Sequence, residues 1–215
     1  MTPFTRRAAF VRLGGFLTVA LGAGGWELAS VDQAPACILT PETITGVNYL
    51  PGEPLRRSIA EGKLGAALVL RTFVVDASTC RPIKSAAVDV WQADAMGLYS
   101  HDESSFLRGI QRTNGDGLAL FHTIYPGWYA GRTAHIHVKV HVGGNVVHTG
   151  HLYFPDSVTD AVYRRAPYSS HPGRDTRNAT DAYYRANGGR SSRMSITRNR
   201  AGVYVARITM GVRRG

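Results

Sequence analysis

The fold of this chain follows from one stretch, Arg132-Thr133-Ala134-His135-Ile136-His137-Val138-Lys139-Val140, in which polar and apolar side chains alternate. Because side chains point to opposite faces along a β-strand, His135 and His137 share one face, while Ile136 and Val138 share the other. Two imidazoles on one face can bind the same metal ion, but they can equally be two solvated or hydrogen-bonded histidines. The stretch therefore predicts a strand that carries a candidate pair of metal ligands.

Further β-type segments precede this strand. Residues 68–75 and 86–93 are apolar and rich in β-branched side chains, which predicts two buried strands. The turn sequence Asn114-Gly115-Asp116-Gly117 is typical of a hairpin, because these residues tolerate positive φ. It is expected to pair residues 107–113 with residues 118–124.

Similar signals follow the histidine strand. Gly143-Gly144 is expected to return the chain through residues 146–154, and residues 198–201 are expected to join a last hairpin. Short strands separated by turns at regular spacing are typical of a sandwich. The predicted fold class is therefore all-β, with an antiparallel β-sandwich core, long loops and one or two short helices.

Two segments depart from the β pattern. Residues 156–163 have apolar side chains at helical spacing, which predicts a short helix. Residues 166–193 are polar and rich in Gly, Pro, Asn and Ser, and we expect an ordered long loop with at most one helical turn near residues 180–185.

The first 36 residues are typical of an export signal rather than of the folded domain. Arg6 and Arg7 precede a largely apolar run over residues 8–26, and Ala34-Pro35-Ala36 offers small residues for cleavage. The paired arginines favour a signal of the twin-arginine type. We expect export to the periplasm or the extracellular space.

A retained membrane anchor is the alternative to cleavage. Arg12 and several glycines interrupt the apolar run, which makes it a poor span of about 20 apolar residues. We therefore expect no stable membrane span after processing, and a single domain over residues 37–215.

The two cysteines of the chain, Cys37 and Cys80, both follow the predicted signal. An oxidising destination favours a disulfide between them, and two free thiols are the alternative if the chain is not exported. The disulfide would tie the start of the mature domain to a turn near Pro82.

The chain is basic, with a formal net charge of +10. The basic residues are mostly arginines scattered along the chain, without a dense run or an RNA-binding motif. A solvated basic surface is favoured over a nucleic-acid partner, and attraction to anionic ligands or to the cell envelope stays open.

Two tyrosines are candidates to complete a metal site with the histidine pair. Tyr129 lies six residues before His135, in a loop punctuated by Pro126, Gly127 and Gly131 that can turn the chain back towards the histidine face. Tyr99 follows a predicted strand through a glycine-containing loop. Either tyrosine alone would more simply be a solvated residue at the rim of the sandwich.

Taken together, these motifs resemble the intradiol ring-cleavage dioxygenases, the group of catechol, hydroxyquinol and protocatechuate dioxygenases. The resemblance extends over nearly all of residues 37–210, and includes secreted single-domain members. The motifs that carry it are Val88-Asp89-Val90-Trp91-Gln92-Ala93-Asp94 with Gly97-Leu98-Tyr99, Phe106-Leu107-Arg108-Gly109, Thr123 to Tyr129, Arg132 to His137, Ile44-Thr45-Gly46 and Leu152 to Asp156.

The resemblance implies a non-haem Fe(III) ion bound by Tyr99, Tyr129, His135 and His137. It implies that a catecholic substrate displaces Tyr129, which then accepts a substrate proton. Arg132 matches the active-site arginine of the family, which stabilises the negative charge of the catecholate. The implied reaction inserts O2 between the two hydroxyl-bearing carbons and yields a muconate-type diacid.

Two further positions are expected to contact the substrate. His151 stands where many members have glutamine, and either hydrogen-bonds near the metal or marks a different environment for it. Tyr49 follows Ile44-Thr45-Gly46, where it is expected to line the substrate pocket. The sequence does not identify which catechol is the substrate, and a homo-oligomer is compatible with it.

Two other functions compete with this interpretation. One is a noncatalytic β-sandwich module that binds a ligand or an envelope polymer and retains a vestigial metal site. The other is a zinc or copper enzyme built on the His-x-His pair. Two phenolates beside two imidazoles favour ferric iron over either of these metals, because phenolate is a hard anionic ligand.

Overall fold

The structure is a computed structural model that describes residues 37–46, 48–101 and 104–214. The predicted export signal over residues 1–36 lies outside the described residues, so its type and cleavage remain predictions.

Within the described residues, eight strands form two four-stranded sheets that pack face to face. The first sheet has the order β4-β1-β8-β7, and the second has the order β3-β2-β5-β6. The predicted β-sandwich is confirmed. The strands are β1 (Ala67–Asp76), β2 (Ala87–Trp91), β3 (Arg108–Arg112), β4 (Leu118–Ile124), β5 (His135–Val142), β6 (Asn145–Tyr153), β7 (Ser195–Arg198) and β8 (Tyr204–Val212).

The turn at residues 114–117 forms, but the predicted hairpin across it is wrong. The Asn114 side chain accepts hydrogen bonds from the backbone N–H groups of Asp116, at 3.0 Å, and Leu118, at 2.9 Å. However, β3 pairs with β2 and β4 pairs with β1, so this turn carries the chain from one sheet to the other. The Gly117 carbonyl accepts a hydrogen bond from Val74 N at 2.8 Å, so the chain pairs with β1 immediately after the turn.

One strand pair also departs from the predicted antiparallel arrangement. β1 and β8 are parallel, from Leu68 opposite Tyr204 to Asp76 opposite Val212, and the other strand pairs are antiparallel. Alternating polarity along a strand identifies its buried face but not the direction of its partner. The long connection through the second sheet allows β8 to return beside β1 in the same direction.

The core between the sheets determines which side chains of the second sheet face outward. Val88 and Val90 of β2 and Ile136 and Val138 of β5 are fully buried in this core. The side chains that alternate with them, including His135 and His137, therefore lie on the outer face of the sheet. They are nonetheless buried, because the long loops cover that face.

The helices lie where the sequence predicts them. Helix α1 (Asp156–Tyr163) follows β6, and its Thr159 and Val162 are buried. Helix α2 (Ala182–Ala186) forms the predicted turn within the long loop, and the Asp181 side chain caps it by accepting a hydrogen bond from Tyr184 N at 2.9 Å. A 3-10 turn at Tyr168–Ser170 was not predicted.

The predicted disulfide joins Cys37 and Cys80, whose Cα atoms are 5.2 Å apart. The bond fixes the start of the described chain beside β8, where Thr40 N donates to the Gly211 carbonyl at 2.9 Å. In the described part of the chain, no helix is both long enough and apolar enough to span a membrane.

Candidate metal centre

The histidine pair of β5 forms the centre of the site. The Nε2 atoms of His135 and His137 are 3.1 Å apart, and both side chains are almost fully buried. The ring of His137 stacks on Trp91, with ring centroids 4.9 Å apart and an angle of 10° between the ring planes. This stacking follows from the register, in which Trp91 lies directly opposite His137. The sheet thus fixes the orientation of the His137 imidazole.

The structure brings both predicted tyrosines to the histidine pair. The hydroxyl of Tyr99 lies 3.1 Å from His137 Nε2, and the hydroxyl of Tyr129 lies 3.4 Å from His135 Nε2. Four side chains from three separate segments therefore bring two phenol oxygens and two imidazole nitrogens to one point.

The loops that present the two tyrosines are packed against each other. Gly97 has φ +82°, and a Cβ atom at this position would lie 2.1 Å from the carbonyl oxygen of Trp128. The Asp94 side chain holds the same loop by accepting hydrogen bonds from Met96 N and Leu98 N at 2.9 and 3.0 Å. Only glycine allows this backbone-to-backbone approach, which brings Tyr99 and Tyr129 to the same site.

Arg108 anchors the far end of the Tyr99 loop. Its guanidinium is buried and donates to the carbonyl oxygens of Ser100, at 2.7 Å, and Asn48, at 2.6 Å. Glu53 Oε1, 3.4 Å away, balances the charge. In the sequence, Arg108 is recognisable only as part of a motif. Its position at the start of a strand gives no signal for this role.

The histidines present neutral nitrogen atoms to the site. His135 Nδ1 donates to the Thr133 carbonyl at 2.7 Å, which leaves Nε2 as the unprotonated atom that faces the tyrosines. Burial, with the positive charge of Arg132, holds the pKa of His135 well below its usual range. Burial likewise lowers the pKa of His137. Both imidazoles are therefore in the form that binds a metal cation.

The pKa of Tyr99 shifts in the opposite direction to the histidine pKa values. Burial and the neighbouring Tyr129 raise the pKa of Tyr99 well above 10, so without a cation its hydroxyl is protonated. A bound cation would reverse this preference, because its charge stabilises the phenolate. Two phenol oxygens and two neutral imidazoles, with no thiol among the described residues near them, are a donor set that fits ferric iron.

Arg132 is held beside Tyr129 by Asp181 and Tyr183, two residues for which the sequence predicts no role at the site. Its Nη1 donates to the Tyr129 hydroxyl at 3.3 Å, and its Nε donates to Asp181 Oδ2 at 2.9 Å. Asp181 is fully buried and also accepts a hydrogen bond from Thr133 N at 2.9 Å. The Tyr183 ring lies 4.5 Å from the guanidinium carbon. An aspartate before a helical turn is recognisable as a cap, but the sequence gives no sign that it binds an arginine 49 residues away.

His151 completes a cluster of three buried histidines. Its ring lies edge-on to His137, with centroids 4.3 Å apart, and potential ligand atoms of His135, His137 and His151 lie within 4.8 Å of one another. His151 Nδ1 lies 3.2 Å from Arg132 Nη2 and 3.3 Å from the Tyr153 hydroxyl. Burial and the charge of Arg132 lower the pKa of His151 to about 3, so its imidazole is neutral.

A cavity of about 320 Å³ opens onto this site. Tyr129, Arg132, His137 and His151 line it, whereas Tyr99 lies behind them. Tyr49 is not part of the lining of this cavity. Its ring packs against Trp91, at 4.8 Å between centroids, and lines a second cavity further along the sheet.

The fold and the site together define a β-sandwich protein with a buried centre of two tyrosines and two histidines. The profile of the family described as Dioxygenase (Dioxygenase_C) matches residues 44–164. The chain belongs to the intradiol ring-cleavage dioxygenase family, whose members use non-haem Fe(III).

Comparison with individual proteins agrees with this assignment. An intradiol ring-cleavage dioxygenase from Tetranychus urticae is 32% identical, with a TM-score of 0.79 over 82% of this chain and 95% of that one. The dioxygenase domain of a dioxygenase carbohydrate-binding protein fusion from Streptomyces sp. SirexAA-E is 29% identical, with a TM-score of 0.66 over 83% of this chain and 100% of that one.

Among curated proteins, catechol 1,2-dioxygenase from Acinetobacter baylyi is 27% identical over a match of 164 residues; the covered share is 61% of this chain and 52% of that protein. The chain spans between 32% and 52% of the length of the curated relatives it matches.

Proposed function

We propose that this protein is a non-haem Fe(III)-dependent intradiol dioxygenase. It cleaves a catecholic ring between the two hydroxyl-bearing carbons and incorporates both atoms of O2, which gives a muconate-type diacid without an external reductant. The observation that carries this proposal is the convergence of the Tyr99 and Tyr129 hydroxyls on the Nε2 atoms of His137 and His135, at 3.1 and 3.4 Å.

Tyr99, Tyr129, His135 and His137 would hold the iron. When bound, Fe(III) supplies Lewis-acid activation of the catecholate and serves as a template that brings the substrate and O2 together. The protein contributes two neutral imidazoles and two hydroxyls whose protons are displaced by the cation. This donor set also supports iron over the zinc or copper alternative.

The two tyrosines have different roles in this proposal. Tyr129 lines the cavity, so its hydroxyl can exchange with a substrate oxygen and accept the proton that a catechol hydroxyl loses. Tyr99 is 8% exposed and does not line the cavity, so it would hold the iron without being reached by the substrate.

Arg132 stabilises negative charge on the substrate. Its guanidinium is directed at the Tyr129 hydroxyl, and Asp181 and Tyr183 hold it there without blocking the cavity that it lines. A fixed positive charge next to the position of an electron-rich catecholate lowers the energy of the transition state most when it needs no reorganisation.

The noncatalytic alternative is less well supported. A vestigial site would not need a buried aspartate to orient Arg132 or a glycine to bring two tyrosine loops into contact. All four ligand positions and the neighbouring arginine are occupied by side chains that can perform the chemistry.

We also propose that residues 1–36 are a cleaved export signal, and that the enzyme works in the periplasm or outside the cell. The Cys37–Cys80 disulfide supports an oxidising location. N-terminal sequencing of the protein recovered outside the cytoplasm tests this proposal, and a chain that keeps Met1 contradicts cleavage.

Oxygen uptake tests the reaction. The iron-loaded protein is expected to consume one O2 per ring cleaved with at least one compound from a panel of catechol, hydroxyquinol, protocatechuate and larger catecholic compounds. Mass spectrometry of the product should show both atoms of labelled O2 in a diacid. An extradiol product, or no uptake with any of these catechols, would contradict the proposal.

A further inference from the structure

A second cavity, of about 740 Å³, lies on the same outer face of the second sheet as the metal centre. Its lining shares no residue with that of the cavity at the histidines. Asp89 lies in its wall, two residues before Trp91 on β2 and directly opposite Lys139 of β5. The proposed dioxygenase chemistry makes no use of this cavity, although its volume is in the usual range for a small-molecule site.

Asp89 is the feature that indicates a ligand. Its side chain is 1% exposed, and its Oδ1 atom has no hydrogen-bond partner within residues 37–46, 48–101 and 104–214. Burial and the nearby Glu53 carboxylate raise the pKa of Asp89 to about 7, whereas a hydrogen bond with Tyr49 and the charge of Lys139 lower it. A buried acceptor without a partner is unfavourable, so the missing donor is expected to come from a bound molecule.

The rim of the cavity carries the opposite charge. Lys84 and Arg112 are exposed, and neither forms a salt bridge with any carboxylate of the described residues. The lining also includes the apolar side chains of Ile110 and Val142. The cavity lining thus combines a buried carboxylate, apolar side chains and two exposed cations.

We infer that this cavity binds a hydroxylated aromatic carboxylate. The hydroxyl donates a hydrogen bond to Asp89 Oδ1, the ring lies between Ile110 and Val142, and the carboxylate pairs with Arg112 and Lys84. The site is separate from the metal centre and does not depend on the reaction that takes place there.

Isothermal titration of the protein as isolated with 4-hydroxybenzoate tests this inference. Benzoate lacks the hydroxyl and phenol lacks the carboxylate, and each is expected to bind about tenfold more weakly than 4-hydroxybenzoate. Benzoate binding as tightly as 4-hydroxybenzoate would overturn the role of Asp89. Absence of binding at millimolar 4-hydroxybenzoate would overturn the site.

Variants locate the binding. The double substitution Lys84→Ala/Arg112→Ala is expected to weaken 4-hydroxybenzoate binding about tenfold or more. The matched control Arg213→Ala/Arg214→Ala removes the same charge from another exposed part of the chain and should leave the affinity unchanged. Equal losses in the two double variants would mean that only net charge attracts the ligand, and would overturn the inference.

The metal centre is the competing location, because Arg132 can also bind a carboxylate. Arg132→Ala is expected to leave 4-hydroxybenzoate binding unchanged. Loss of binding in this variant would show that the ligand binds at the candidate metal centre instead. Asp89→Leu is expected to reduce the affinity for 4-hydroxybenzoate to that for benzoate. If this variant does not fold, the comparison of the two ligands on the unaltered protein still decides the role of Asp89.

Discussion

The Nε atom of Arg132 lies 2.9 Å from Oδ2 of Asp181, a residue of the long loop that is fully buried beside the metal centre. The same carboxylate accepts hydrogen bonds from Thr133 N and from Tyr184 N, both at 2.9 Å. Asp181 therefore links the long loop, the start of the histidine strand and Arg132. It is a positioning residue, because it does not line the cavity.

Asp181→Asn is expected to lower kcat about 10- to 100-fold, as loss of a hydrogen-bonded group behind a metal site typically does. The reason is that an amide cannot balance the charge of Arg132. Iron content should be retained, because none of the four ligand side chains is altered. Steady-state kinetics and metal analysis check this result.

A purely structural role for Asp181 would affect stability rather than the rate per bound iron. It would lower the melting temperature and the fraction of active enzyme, while kcat per bound iron stayed unchanged. Asp116→Asn, in the exposed turn between the sheets, is the matched control and should change neither kinetics nor stability.

Gly97→Ala is expected to destabilise the protein by about 2–4 kcal/mol and to lower its iron content. Its φ of +82° is unfavourable for alanine, and the added Cβ would lie 2.1 Å from the Trp128 carbonyl oxygen. The two tyrosine loops must then separate. Gly115→Ala is the control, because no atom lies within 4 Å of its added Cβ. Denaturant unfolding and iron analysis measure both variants, and equal stability of the two would contradict this account.

Removal of the disulfide is expected to cost about 2–4 kcal/mol of unfolding free energy. Cys37 and Cys80 are 43 residues apart, so the bond restricts a long loop of the unfolded chain. The Cys37→Ser/Cys80→Ser variant should unfold at lower denaturant concentration than the oxidised protein. Reductant should shift the unaltered protein to the same midpoint and leave the variant unaffected. A midpoint independent of reductant in the unaltered protein would show that the bond contributes nothing.

The metal-free protein is expected to lose stability as the pH falls from about 6.5 to 4, partly through His148. Burial lowers the pKa of this 1%-exposed histidine to about 4. Since the unfolded state takes up its proton first, near pH 6.5, protonation favours unfolding throughout that interval. The contribution of His148 is on the order of 2–3 kcal/mol. Unfolding of the unaltered protein and of His148→Gln across this pH range should show a shallower slope in the variant, and identical slopes would contradict the assignment.

The sequence was sufficient to predict the β-sandwich, the helix at residues 156–163, the disulfide and a strand with two histidines on one face. These features depend on local periodicity, on turn residues or on the number of cysteines. The hairpin prediction at residues 114–117 failed because turn chemistry determines a reversal of the chain, not the strand with which each arm pairs. The parallel pairing of β1 and β8 was missed for a related reason, since side-chain alternation is the same in either direction.

The sequence predicted the four candidate metal ligands, but not the residues that hold Arg132 beside them. Strand alternation indicated His135 and His137 as a pair. The full set with Tyr99 and Tyr129 was implied by the family resemblance. Asp181 could not be linked to Arg132, because that contact depends on how a 28-residue polar loop folds over the sheet. Tyr49 lines the neighbouring cavity rather than the one at the histidines, and its contact with the substrate stays a prediction.

The visible absorption of the iron-loaded protein decides whether the two tyrosines and two histidines bind ferric iron. Phenolate bound to Fe(III) absorbs visible light, so a protein with one iron per chain should be wine-red, and Tyr99→Phe should alter and weaken the band while some iron stays bound. A colourless protein with stoichiometric iron, indistinguishable from its Tyr99→Phe variant, would show that these tyrosines do not bind ferric iron.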